Sequence, residues 1–469
     1  MYEENSSKKI LWASIAIVLV LLVLAGVYYF FIRKDGALTA VAKPLFGGLI
    51  SSDIAPGENA NGAVEQTPTP DGDTSQGALE DEPLFRQLSS IPIAGAVAVE
   101  RSGKNYVRYV ARETGHVFEV DSKTGVSVEL TNTLIPRVYE ALWVKGGNSV
   151  VLRYLSLDPI SRKEQIKTYL AHLDLPIQNA EGVLVPTALG SLRGEFLPND
   201  ISAVSISSDG TQLFYLEPIS EGVSGKIVTI ATMSAKEVFR NSFSEWLPQL
   251  LNDGTIILTT KPSANVPGYS YLYNPTTKTL TRIVRQKNGL TTLGEPQGER
   301  VIYSQNITGN TTLSLYDKNG VSAEEGITKH EAQIPLATLP EKCVWSKSTV
   351  YIYCGAFTST PRATIPDDWY QGVLSFSDSF WVIDTKTIDI TFLADPEKSI
   401  QKEFDVFMPF MGTNESYFYF TNRKDNTLWQ MRIVNQVPEV INNASAGQLT
   451  PEEMKDAAGS TQIPGNINP

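Results

Sequence analysis

From residue 83 to residue 434 the chain reads as short apolar runs, alternating or continuous, cut by turn residues. Almost no stretch holds the 3.6-residue period of an amphipathic helix, so the pattern predicts strands. One unit recurs. Residues 204–210 (VSISSDG) lead into 211–216 (TQLFYL), then 226–230 (KIVTI), then 237–240 (EVFR). The same order starts from Trp246 with Asn252-Asp253-Gly254, from Trp143 with Gly146-Gly147-Asn148, and from Trp345 with Ser348. Weaker copies lie at 97–109, 296–303 and 407–420. A second turn signature follows in several units, as in FEVD at 118–121, YLYN at 271–274, LYD at 315–317 and WVID at 381–384. Asn, Asp and Gly tolerate the left-handed backbone that tight hairpins need, so these are hairpin connections.

The units repeat at roughly 44 to 66 residues, the period of a four-stranded propeller blade with insertions. Seven units make an all-β, seven-bladed propeller over 84–434; a pair of β-sandwiches is the competing architecture. The last unit has only three strands, at about 404–412, 416–422 and 427–433. A strand at 84–88 (LFRQL) is left over before the first unit. The simplest assignment gives that strand to the last blade and closes the ring, because open sheet edges invite aggregation.

Outside this domain the pattern changes. Residues 10–32 contain no charged side chain. As a helix they would span roughly 35 Å, enough to cross a bilayer core with some tilt. The run is too long for a cleaved signal peptide and lacks a nearby small-residue cleavage site. It is therefore expected to anchor the chain in the lipid bilayer, with Tyr28, Tyr29, Phe30 and Phe31 at the far interface. Residues 1–9 become a cytoplasmic tail, and 33–83 a juxtamembrane segment and acidic linker. Residues 51–83 carry eight acids and no Lys or Arg, and lack the apolar area to offset ordering, so they should be disordered. The tail 435–469 is expected to be disordered too. The basic residues flanking the helix are balanced, two on each side. The size of the C-terminal domain favours its export, in a single-pass protein of the cell membrane with the domain extracytoplasmic.

Net charge is −12 over the whole chain but only −3 within 84–434, so the acidity lies mostly in the tails. A nucleic-acid partner would require a basic field, which is absent.

The segment SSDGTQLFY at 207–215 resembles the repeats of WD40-like, TolB-type bacterial propellers. KCVW at 342–345, Cys354, PDDWYQG at 366–372 and SFSD at 375–378 together resemble a group of single-pass, membrane-anchored bacterial propeller proteins. The resemblance implies fold and location and brings no activity with it.

Candidate chemistry is sparse. The three histidines, His116, His172 and His330, show no metal-ligand spacing, and no nucleophile elbow, zinc-protease or phosphate-loop motif occurs. No catalytic residue, metal or cofactor is assigned. In a blade, the second-to-third loop and the blade-to-blade connection emerge on one face. The long insertions read from the sequence (156–167, 176–200, 218–225, 261–268 and 355–379) are all expected there. The last of them gathers Asp367, Asp368, Trp369, Tyr370, Gln371 and Phe376, residue types that protein interfaces and sugar sites use. These six form the candidate binding surface, unless Trp369 and Tyr370 fold back as a plug. The expected function is a binding or scaffold module for a protein or envelope component. The alternative is a propeller-based envelope hydrolase or lyase acting on glycan or peptide.

The only two cysteines flank one hairpin. With Ser348 and Thr349 at its turn, Cys343 falls opposite Cys354 on the same sheet face, within bridging range. Such a bond persists outside the reducing cytosol. Alkylation of non-reduced protein from its native membrane, followed by mass spectrometry, is expected to find neither cysteine modified. Two alkylated thiols would remove both the bond and its support for export.

Overall fold

The second strand of a unit is apolar at successive positions because both of its faces are buried. Val150 and Leu152 pack toward blade 1, whereas Val151 between them packs toward blade 3. Leu213 and Tyr215 face blade 2, and Phe214 and Leu216 face blade 4. The same alternation places Phe418 and Phe420 against blade 6, and Tyr417 and Tyr419 against blade 1. Apolar clusters thus join each blade to the next, and blade 7 back to blade 1.

The computed structural model describes residues 82–175, 189–320, 322–324, 327–359 and 363–433. They form seven four-stranded antiparallel sheets, spanning residues 93–129, 138–196, 203–241, 246–288, 291–334, 343–394 and, for blade 7, 406–432 with 85–87. Blade 5 carries one extra hairpin, Ser322–Glu324 with Ile327–Lys329. First strands of neighbouring blades touch, so they line the axis of a ring. The expected span 10–32, the tail 1–9, the linker up to residue 81 and the segment 435–469 lie outside the described residues. Among the described residues no helix is long and apolar enough to cross a membrane.

The leftover N-terminal strand does close the ring. Phe85–Gln87 pairs antiparallel with Thr427–Arg432, setting Phe85 opposite Met431 and Gln87 opposite Trp429. The seam continues in the backbone, where Leu88 N donates to Leu428 O and Arg432 N to Leu84 O, each at 2.8 Å. Turn chemistry follows the sequence as well. Asp209 Oδ1 accepts from Thr211 N at 3.0 Å, and Asp253 Oδ1 from Thr255 N at 2.8 Å. Gly210 and Gly254 take φ of +76° and +79° there.

Strand order fixes two faces. The second-to-third turns and blade-to-blade connections define an upper face; the first-to-second and third-to-fourth turns define a lower one. Phe85–Gln87, a fourth strand, rises from the lower face, and Thr427–Arg432, a third strand, descends to it. The propeller therefore begins and ends on its lower face. Glu82 is tied there by Tyr417, whose hydroxyl donates to its carboxylate at 2.8 Å.

The cysteines form the expected disulfide. Cys343 pairs with Cys354, Val344 with Tyr353 and Trp345 with Ile352, with the bridged Cα atoms 4.1 Å apart.

Phe85 is buried against Phe380 and Phe404, with ring centroids at 5.3 and 5.6 Å. Phe85→Ala should cost about 3–5 kcal/mol, because it opens a cavity at the strand pairing that closes the ring. Urea unfolding should show the loss as a lower midpoint at unchanged slope. A change under about 0.5 kcal/mol would mean that the seam contributes nothing.

Candidate functional site

Strand lengths revise the picture of an upper face crowded with insertions. Half of residues 156–167 is strand, ending at Leu157 and resuming at Glu164, and 218–225 is a tight hairpin with Ile219 opposite Gly222. Part of 176–200 belongs to the lower face. Ser191–Phe196 is the fourth strand of blade 2, so the connection before it is a third-to-fourth one; residues 176–188 lie outside the described residues. The loop between Thr260 and Pro267 and the blade 6 insertion, residues 358–377, remain.

That insertion is held by a buried charge cluster. Lys342, at the end of a 3-10 turn (Pro340–Lys342), is fully buried. Its Nζ lies 2.6 Å from Asp378 Oδ2, 2.5 Å from Asp405 Oδ1 and 3.2 Å from Val406 O. Phe376, Trp369 and Phe357 surround the ammonium at 4.9, 5.2 and 5.9 Å from their ring centroids. An uncompensated charge would not survive there; paired and ring-packed, it is tolerated. Asp405 accepts from Trp369 Nε1 (3.1 Å to each oxygen), Ser375 Oγ (3.0 Å) and Phe376 N (3.2 Å). Asp378 Oδ2 also accepts from Val406 N at 2.7 Å, whereas its Oδ1 is buried without a partner. Burial pushes the Asp378 carboxyl above its ordinary range, against the opposing pull of Lys342.

The six candidate residues therefore divide. Trp369 is fully buried, stacked under the Arg423 guanidinium at 4.3 Å, and Phe376 is buried against Phe357 with centroids 3.8 Å apart. Of the two rings in the fold-back alternative, Trp369 follows it and Tyr370 stays partly exposed; neither Trp369 nor Phe376 presents surface to a ligand. Asp367 Oδ2 accepts from Ala264 N of blade 4 at 2.6 Å, and Asp368 Oδ2 from Thr364 N at 2.7 Å. Tyr370 and Gln371 are exposed, beside Val373. The Tyr370 ring is 40% exposed, yet its hydroxyl turns inward and donates to Glu341 Oε1. Asn306 of blade 5 donates to Ile365 O at 3.3 Å, and Arg423 of blade 7 to Tyr370 O at 3.3 Å. The insertion is thus tied to blades 4, 5 and 7 as well as its own. Lys342, Asp405 and Arg423 carry it; Lys342 stands in the KCVW run that the sequence singled out, but none of the three had a role assigned from sequence. The one available signal is a lysine set directly before a buried hairpin.

Elsewhere chemistry stays dispersed. His116 pairs with Glu129 at 2.7 Å, His172 meets Ser149 at 3.2 Å, and His330 meets Asp317 O at 2.9 Å, in blades 1, 2 and 5. Among the described residues no group of three His, Cys, Asp or Glu could hold a metal ion. A cleft of about 830 Å³ opens between blades 3 and 4 on the lower face, with Glu237 and Asp253 in its lining. Both carboxylates are engaged, Glu237 by Arg240 at 2.8 Å and Asp253 by Thr255 Oγ1 at 2.7 Å.

Compared with known proteins, the chain matches no family model, and no curated protein matches it. Solved structures of similar fold include TolB from Acinetobacter baumannii, at 12% identity and a TM-score of 0.37, covering 61% of this chain and 63% of that one. The tricorn protease is similar at 10% identity and a TM-score of 0.45, covering 76% of this chain and 34% of its own. The WD40 repeats of RRP9 are similar at 9% identity and a TM-score of 0.43, covering 75% of this chain and 97% of theirs. The chain spans under two thirds of the TolB structure and about a third of the tricorn protease. At this distance the likeness concerns the propeller fold alone.

Glu341 offers a pH test. Burial holds its carboxyl above the ordinary range, despite the hydrogen bond from Tyr370. A raised folded-state value means that the fold prefers the protonated acid. That preference contributes fully below the unfolded value and is lost as pH rises through the folded one. Glu341→Gln fixes the neutral form, so it should raise the urea midpoint at neutral pH and give no gain near about pH 4. A lowered midpoint at neutral pH would show that the ionised carboxylate is the stabilising form.

Proposed function

We propose that this chain is a membrane-anchored, extracytoplasmic binding module that engages a protein or envelope component through its upper face. The observation that carries the reading is how exposed apolar side chains sort between the two faces. Leu134, Leu157, Ile160, Val266, Ile307 and Val373 all sit at blade-to-blade or second-to-third connections, with Ile160 92% and Val373 76% exposed. The lower face offers fewer among the described residues: Val126, Leu189, Leu280 and Tyr351. Apolar tips on rigid hairpins, clustered on one face, are what a binding surface uses. Tyr370 and Gln371 add a polar handle beside Val373. The disulfide supports an extracytoplasmic location, since such bonds persist outside a reducing compartment.

The test compares the full chain with a triple variant, Ile160→Asp, Val266→Asp and Val373→Asp, and with a lower-face control, Val126→Asp and Tyr351→Asp. In a cross-linked pull-down from its own envelope, the wild type and the control should retain the same partner. The triple variant should lose at least tenfold, with stability within about 0.5 kcal/mol of wild type. Equal retention by all three proteins overturns the upper-face assignment. Turnover of an envelope glycan or peptide by the purified wild type would favour a hydrolase or lyase instead.

A further inference from the structure

The buried cluster beneath the blade 6 insertion holds the parts of a condensation reaction. We propose that Lys342 and Asp378 become joined by an intramolecular amide bond, with Asp405 moving the protons.

Three observations lead there. The first is contact: Lys342 Nζ sits 2.6 Å from Asp378 Oδ2, and all three side chains are buried, so the reactants are already held together away from water. Holding two groups in reacting geometry replaces a bimolecular encounter with a unimolecular step. A dry site also removes the bulk water that would drive an amide back to acid and amine. The second is asymmetry between the carboxylates. Asp405 receives donors from Trp369, Ser375 and Phe376 besides Lys342, which fixes both of its oxygens beside the amine and places it to act as the base. Asp378 leaves Oδ1 unpartnered and buried, where a neutral acid fits better than a carboxylate. The unequal hydrogen bonding of the two acids assigns their roles. The third is the aromatic enclosure of Phe357, Trp369 and Phe376 around the amine, which limits its solvation.

The step balances within the cluster. Asp405 takes one proton from the Lys342 ammonium. The freed amine lone pair attacks Cγ of protonated Asp378, and the C–N bond forms. Asp405 hands its proton to the Asp378 hydroxyl and takes a second one from nitrogen. The C–O bond then breaks, water leaves, and Asp405 ends protonated beside a neutral amide. No oxidant, cofactor or activated carrier enters. The product would tie the turn before the first strand of blade 6 to the start of its third, alongside the adjoining disulfide at Cys343. The insertion would then be closed at its base by a covalent bond.

The experiment is intact-mass and peptide mass spectrometry of the full chain, denatured and reduced after a week at neutral pH. The wild type is expected one water lighter than its sequence, with the peptide carrying Lys342 bonded to the one carrying Asp378 and trypsin no longer cutting after Lys342. Asp378→Asn should instead lose one ammonia, because the same attack expels the amide nitrogen. Lys342→Arg and Asp405→Ala should keep full mass. Wild-type protein with native circular dichroism that keeps its full mass overturns the proposal, whatever the variants do. Mass loss that persists in Lys342→Arg overturns it equally.

Discussion

Seven sheets packed face to face around an axis leave one seam, and everything else in this molecule depends on how that seam is closed. Each blade buries both of its faces, so a missing strand would uncover apolar surface in blade 7 and in its neighbours together. The pairing of Phe85–Gln87 with Thr427–Arg432 supplies that strand from the far end of the domain. It brings Phe85 among Phe380, Phe404 and Met431, in the cluster that joins blades 6 and 7. Closure this way covers the outer edge of Thr427–Arg432, which would otherwise be open to template aggregation, and the two ends of the domain meet at one place. Blade stability is therefore collective, as expected where each repeat completes its core with the next.

A second constraint acts across the upper face. Burying Lys342 between Asp378 and Asp405 would be costly if any partner were absent, because isolated charges are strongly disfavoured in an apolar interior. The insertion is what completes the set. It contributes the indole, the hydroxyl and the backbone N–H that satisfy Asp405, and it shields the ammonium with Trp369 and Phe376. Arg423 then covers the outer face of Trp369 and reaches the Tyr370 carbonyl, tying the loop to blade 7. An aromatic loop on an otherwise spare blade thus becomes interior, fixed by charges rather than by a further strand.

Sequence pattern revealed the parts governed by local rules. The turn of the disulfide hairpin fixes its register, so the pairing of Cys343 with Cys354 could be read from spacing alone. The seventh blade lacked a strand and the chain had one to spare, so closure could be inferred by elimination. Outer strands were harder. In Ser191–Phe196 only Leu192 is buried, because a fourth strand has one neighbour and a largely solvated face. Its alternation is too weak to mark a strand, so the sequence reads it as part of a long loop. The candidate surface failed to declare itself for a different reason. Trp369 and Tyr370 are adjacent aromatics of similar type, yet one ring is fully buried and the other 40% exposed. What separates them is Asp405 and Arg423, tens of residues away, and no local pattern encodes that contact. Lys342 was missed because a lysine reads as surface unless its distant partners are known.

The two faces of the ring differ in a way that follows from closure itself. Because the closing strand is an outer, ascending one and the last strand a descending one, both ends of the domain must lie on the lower face. The connections of the upper face are where hairpins extend beyond the sheet, as at Leu157 and Ile160, and where the blade 6 insertion is pinned rather than free. A partner arriving there would meet rigid apolar tips around a locked loop, so little conformational entropy would be lost on contact. Topology thus decides which connections share a face, and packing decides which of them are held in place.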